Sequence, residues 1–289
     1  MTEKNFRDLQ LAEIGRIANK KLKGKDLEYF LVFLHDFYND STAEDLFAET
    51  PQKLYAVALS FWKFSESREL GKHKINIFNP TIETNGWQSK HTVIQIINDD
   101  MPFLVDSITN GLSTTQHHRL HMMHHPMVNL KRDENGKRIE VFSDSNDEGT
   151  VVESIMYIEI DAQSALDVLE AILQSIDVIL NDVRISVKHW RAMMAKIDET
   201  VASLTVCPPP ISEEDVKETV RFLRWMSADH FTFLGFREYR YEGDPKLADF
   251  KSVDGSGLGI LQDPKRYILR GKDGLTSMSN EIRHFLALP

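Results

Sequence analysis

Cysteine is all but absent from this 289-residue chain: Cys207 stands alone. No internal disulfide can form, and no multi-thiolate zinc site can be built. Long apolar runs are missing as well. The longest, Tyr29 to Leu34, is six residues, far short of the ~20 that cross a bilayer. The first twenty residues hold no apolar h-region, so no secretory signal is expected and the chain reads as cytoplasmic. Basic residues are in deficit, with 34 Lys+Arg against 44 Asp+Glu and a net charge of −10. That balance argues against a nucleic-acid partner, whose phosphates demand Lys and Arg. What remains is an ordinary globular composition, 42% hydrophobic and 27% charged, in a chain long enough for about two domains.

Residues 1–71 read as a small helical subdomain. Leu9, Ile14, Ile17 and Ala18 share one helical face, and Asp26–Tyr38 is too apolar for a surface helix. Thr50-Pro51 marks a helix start, with Thr as N-cap and Pro where its missing N–H is harmless. From residue 72 the texture changes. Lys72–Phe78 alternates, His91–Ile97 is rich in β-branched residues, and Asn79-Pro80 and Asn85-Gly86 supply turns between them. Asn98-Asp99-Asp100 then offers N-caps for a helix over about 102–115. Two further strands, Arg119–Leu130 and Val151–Asp161, flank a charged loop containing Asn135-Gly136. An antiparallel α+β domain over 72–206 is expected.

Apolar residues recur at alternating three- and four-residue steps from Leu166: Leu169, Leu173, Ile176, Leu180, Val183, Val187, Trp190, Met194, Ile197 and Val201. The pattern predicts one long core-facing helix, or two broken near Asn181. Cys207-Pro208-Pro209-Pro210 is a stiff break, followed by Ser212 as a helix cap with Asp215 three residues on. Residues 207–289 read as a second, truncated α+β unit: the helix from Ser212, a strand over Phe231–Tyr241, a short strand over Arg266–Leu269 and a closing helix over Asn280–Leu288.

Catalytic signatures are scarce. Five histidines, His117, His118, His121, His124 and His125, crowd nine residues, but strand alternation splits them between two faces and no metal site is expected. Local hydrogen bonding or a subunit contact fits them better. Gly255-Ser256-Gly257-Leu258-Gly259 fails both the dinucleotide fingerprint and the P-loop pattern and reads as a turn. No cofactor is expected in this segment. The junction Ile97–Asp106 is more informative, because a hydrophobic strand passes through an acidic turn directly into a helix.

With the β–β–α–β–β order around it, this junction resembles that of an ACT domain, a regulatory module with a ferredoxin-like antiparallel sheet that often binds amino acids at this turn. The ACT pattern Asp-Arg-Pro-Gly-Leu-Leu stands here as Asp100-Met101-Pro102-Phe103-Leu104-Val105, with Phe103 where the family has Gly. The resemblance points to Asn98, Asp99, Asp100, Met101 and Phe103 as effector-binding residues. Lys74–Phe78 would fill the place of the fourth ACT strand, antiparallel beside His91–Ile97. Gly86-Trp87, His91-Thr92-Val93, Asn98–Ser107, His125-Pro126, Glu153-Ser154, Ile158–Asp161, Asp229–Arg237 and Gly257–Leu261 together resemble the amino-terminal region of the large bacterial NAD-specific glutamate dehydrogenases. That resemblance implies a parent enzyme that deaminates L-glutamate to 2-oxoglutarate with NAD. It makes this segment a non-catalytic regulatory and assembly region. Its partners would be a downstream catalytic domain, further copies of itself and an amino-acid effector. A free-standing amino-acid sensor is the alternative.

Overall fold

The structure is a computed structural model that describes residues 3–39, 41–42, 46, 48–115, 118–143, 149–242 and 249–266. Residues 1–180 and 181–289 form two compact units, with one helix running through the boundary.

Among the described residues the first unit opens with the helices α1 (Glu3–Lys21), α2 (Gly24–Phe37) and α3 (Pro51–Phe64). Thr50 caps α3 as its sequence predicts, its hydroxyl accepting from the Lys53 N–H at 3.3 Å. Strand β1 (Lys74–Phe78) and a short helix, α4 (Ile82–Asn85), lead to β2 (Thr92–Asp99). After α5 (Leu104–Asn110) and a π-helical turn at Gly111–Thr115 come β3 (Leu120–His124), β4 (Met127–Arg132), β5 (Arg138–Phe142) and β6 (Val151–Ile160). Every pairing is antiparallel. The order is β1-β2-β6-β4-β5, with β3 also on β6, and β1 lies against β2 as expected for the strand that completes the sheet.

Alternation along the strands gives the sheet two buried faces. Val93, Ile97, Val128, Leu130, Ile155 and Tyr157 join Phe30, Phe33, Phe37, Phe61 and Trp62 of the helical layer in one core. Ile94, Ile96, Met156, Ile158 and Ile160 point the other way and are equally buried. The Thr109 hydroxyl meets Met123 Sδ at 3.4 Å, which places α5 over this second face. Gly111 in turn lies against Ile179 of the long helix α6 (Leu166–Val206), where a Cβ would come within 2.2 Å of the Ile179 side chain. An antiparallel sheet with helices packed on it is the ACT-like α+β architecture.

Several details depart from expectation. The strand read over Arg119–Leu130 is two, because His125-Pro126 interrupts it and Pro126 has no N–H for the ladder. The charged loop between strands contains β5, whose single buried apolar residue, Val141, gave too weak a pattern. The helix expected over 102–115 is shorter and ends in the π-helical turn. Helix α6 is continuous, the first of the two forms expected, and its expected seam is buried at Ile176, Leu180, Val183, Ile197 and Val201 but not along its whole length. Leu166, Leu173 and Trp190 are exposed, whereas Ile172, Ile176, Leu180, Val183, Met193 and Ile197 are buried. Leu9 also faces solvent.

In the second unit, α7 (Glu213–Trp225) begins at Ser212, whose hydroxyl accepts from the Asp215 N–H at 3.1 Å. After a π-helical turn (Met226–His230), the strand expected over Phe231–Tyr241 is two short strands. β7 (Gly235–Phe236) pairs with β10 (Leu258–Gly259), and β8 (Tyr239–Glu242) pairs with β9 (Asp249–Ser252). Asp229, in the π-helical turn, takes a left-handed φ of 60°. Arg237 holds the following loop by donating to the carbonyls of Leu261, Asp263 and Arg266. The short strand read over Arg266–Leu269 and the helix over Asn280–Leu288 lie outside the described residues, apart from Arg266 itself.

Candidate functional site

The turn after β2 places its five candidate residues on different sides of the sheet. Asn98 is buried on the α5 face, and Asp99 turns toward the α1–α3 layer. The Asp100 N–H continues the ladder by donating to the Val152 carbonyl at 3.1 Å, while its side chain is exposed. None of the three acidic-turn residues caps α5, contrary to expectation. Phe103 is the N-cap and makes no side-chain cap bond. Its φ is +71°, the left-handed conformation that glycine adopts freely and a bulky residue does not. The chain thus keeps a glycine-type turn with a phenylalanine in it, and that ring stands half exposed.

Behind the turn lies a cluster that local sequence patterns do not reveal. Arg68, in the segment between α3 and β1, reaches Asp99 Oδ1 at 2.5 Å and Glu153 Oε1 at 2.8 Å. Arg132 of β4 grips both oxygens of Glu153, Nε to Oε1 at 2.7 Å and Nη2 to Oε2 at 2.8 Å. Its remaining donors go to the carbonyls of Gly136 (2.7 Å) and Ser65 (3.1 Å). The side chains of Arg68, Arg132 and Glu153 are completely buried. Arg138 adds a third guanidinium, 3.2 Å above the Trp62 ring and donating to the Trp62 carbonyl. A buried charge survives only when paired and hydrogen-bonded, as Arg68 and Arg132 are with Glu153. The cluster ties the acidic turn to the sheet interior. It leaves Asp100 as the exposed carboxylate of the turn.

The register shift between Leu120 and Met122 breaks the strand alternation expected of the histidines. His121 Nε2 lies 2.6 Å from Asp161 Oδ1, and its ring stacks on His91 at 3.9 Å. That hydrogen bond holds the Asp161 carboxyl below its ordinary range. His124 stands opposite Tyr157, against the Phe37 carbonyl and the Tyr38 ring. His117 lies outside the described residues, and among the described residues no group of three or more His, Cys, Asp or Glu could hold a metal ion.

The family model for the glutamate dehydrogenase ACT1 domain matches residues 33–176, which is α2 from its middle, the whole sheet and the start of α6. The chain belongs to the glutamate dehydrogenase ACT1 family. Its curated relatives include an NAD-specific glutamate dehydrogenase of Halomonas elongata, 32% identical over 260 residues, covering 89% of this chain and 16% of that protein. Another is the NAD-specific glutamate dehydrogenase of Pseudomonas aeruginosa, 29% identical over 219 residues, 75% of this chain and 14% of the relative. The chain therefore spans about a sixth of the length of these relatives. Acidic turn, charged cluster and sheet all fall inside the ACT1 domain.

Proposed function

We propose that this chain is the non-catalytic regulatory and assembly region of an NAD-dependent glutamate dehydrogenase. The parent enzyme would convert L-glutamate, NAD and water to 2-oxoglutarate, ammonia and NADH. The observation that carries this reading is the ACT1 match across the entire six-stranded sheet. NAD and catalysis belong to the parent, through a downstream catalytic domain that would be this region's partner alongside further copies of itself. The turn Asn98–Phe103 is the place for an amino-acid effector. Asp99 is held by Arg68, so an effector's ammonium group would meet Asp100, beside the half-exposed Phe103 and Met101.

Two measurements test the reading. The purified 289-residue chain, given glutamate and NAD, forms no NADH above a blank; formation of NADH overturns the non-catalytic assignment. Calorimetric titration with the common amino acids gives heat that Asp100→Asn removes. The absence of heat at millimolar concentration leaves the turn as structure only.

A further inference from the structure

A second concavity opens on the α1–α3 side of the sheet, six residues further along β6 from Glu153. Its walls are the end of α2, the start of α3 and strand β3, and it holds about 40 Å³, room for about three water-sized groups, open to solvent on one side. Phe37, Leu54, Val57 and Met122 make it apolar. At its base sits Glu159, 8% exposed.

Glu159 has a hydrogen bond but no cation. Its Oε1 accepts from the Tyr157 hydroxyl, two residues back on the same face. Across the ladder it stands opposite Val93 on one side and Met122 on the other. The other charged groups of the pocket are committed elsewhere: Lys53 pairs with Glu49, and His124 bonds to the Phe37 carbonyl. Tyr38 donates to the Leu54 carbonyl at 2.8 Å and has no proton to offer. Burial, and then the negative charge of Glu159, push the Tyr157 phenol far above its ordinary range, so it stays a neutral donor. With Glu49 offset by Lys53, the pocket carries one uncompensated negative charge inside apolar walls. A divalent metal does not fit, because hard cations require six or more oxygens.

We propose that this pocket takes the ammonium end of a small organic cation, its nitrogen against Glu159 at the base and its apolar body at the open mouth beside Met122. The site goes beyond the effector turn and is separate from it. Glu159 and Glu153 are about 20 Å apart along the strand at ~3.3 Å per residue.

The test is calorimetric titration of the 289-residue chain with 2-phenylethylammonium, and in parallel with 3-phenylpropanoate, which has a similar body and the opposite charge. The cation is expected to bind at least about tenfold more tightly than the anion, and Glu159→Gln to lose at least about tenfold of that affinity, the weight of one charge-assisted hydrogen bond. Met122→Trp, which fills the mouth from β3, abolishes binding of either compound. Should Glu159→Gln fail to fold, judged by circular dichroism, Met122→Trp decides the site. Equal binding of the two probes, undiminished binding in either folded variant, or no heat up to about 10 mM overturns the proposal. Asp100→Asn leaves this titration unchanged, so failure here and failure of the effector turn are distinguishable.

Discussion

Strand β6 buries two glutamates on the same face, Glu153 and Glu159, and surrounds them in opposite ways. Glu153 meets two guanidinium groups and uses both of its oxygens. Glu159 meets one phenol and has apolar residues for cross-strand neighbours. The strand is the same, and so is the pleat; what differs is which segments pass overhead. The Ser65–Lys72 segment brings Arg68 to one end, whereas at the other α2 and α3 bring mainly aromatic and aliphatic side chains and the cation of α3, Lys53, pairs with Glu49. A buried carboxylate supplied with cations becomes an anchor. Left without one, it becomes a place where a cation from outside is stabilised.

The largest effect is expected at the paired end. Glu153→Gln keeps an acceptor but leaves Arg68 and Arg132 buried with Asp99 as the remaining carboxylate. Removing one partner of a buried ion cluster costs about 3–5 kcal/mol. Urea unfolding should show a loss of that size, and a loss below about 1 kcal/mol would erase the contrast between the two glutamates. Gly136→Ala should follow, at about 2 kcal/mol or more. Gly136 has a φ of +79°, and a Cβ there would come within 2.0 Å of the Arg68 carbonyl, displacing the segment that delivers Arg68.

The sequence makes one half of this contrast readable and hides the other. Thr50 and Ser212 announce their helices because capping is local, and β1 beside β2 follows from two alternating runs joined by turn residues. Asn135-Gly136 is recognisable as a turn. That its carbonyl and its missing Cβ serve Arg132 and Arg68 is not, because the cluster joins residues up to 85 apart in the chain. Phe103 hides a glycine-type backbone behind a residue that gives no sign of it. Glu159 looks like any alternate polar residue of a strand. Its isolation is a property of what packs above it.

Phe103→Gly probes how firmly the paired end holds the acidic turn. Relief of the left-handed conformation is worth about 1 kcal/mol and exceeds the added chain entropy of glycine, for a net gain of about 0.5 kcal/mol. A loss in the same urea assay would mean that the ring contributes packing that outweighs its strain. At the other end of β6, Asp161 gives a smaller, pH-dependent effect. Its carboxyl is lowered chiefly by the hydrogen bond from His121. Its contribution is present above the unfolded carboxyl value of about 3.9 and is lost as pH falls through the lower folded value. His121→Ala should therefore reduce stability slightly at pH 5 and by less at pH 2; an equal reduction at both would assign the effect to the His91 stack instead.

The smallest expected effect is the most discriminating. Glu159→Gln preserves volume and retains an oxygen to accept from the Tyr157 hydroxyl, while it removes a buried charge that no cation offsets. The desolvation cost of that charge disappears with it, so stability should stay within about 0.5 kcal/mol of the parent chain or rise. The corresponding change at Glu153, six residues away on the same face, is expected to cost several times more. Parallel urea titrations of the two variants measure the difference directly. If Glu159→Gln is as damaging as Glu153→Gln, Glu159 is paired within the folded chain, and its pocket has no charge left over for a ligand.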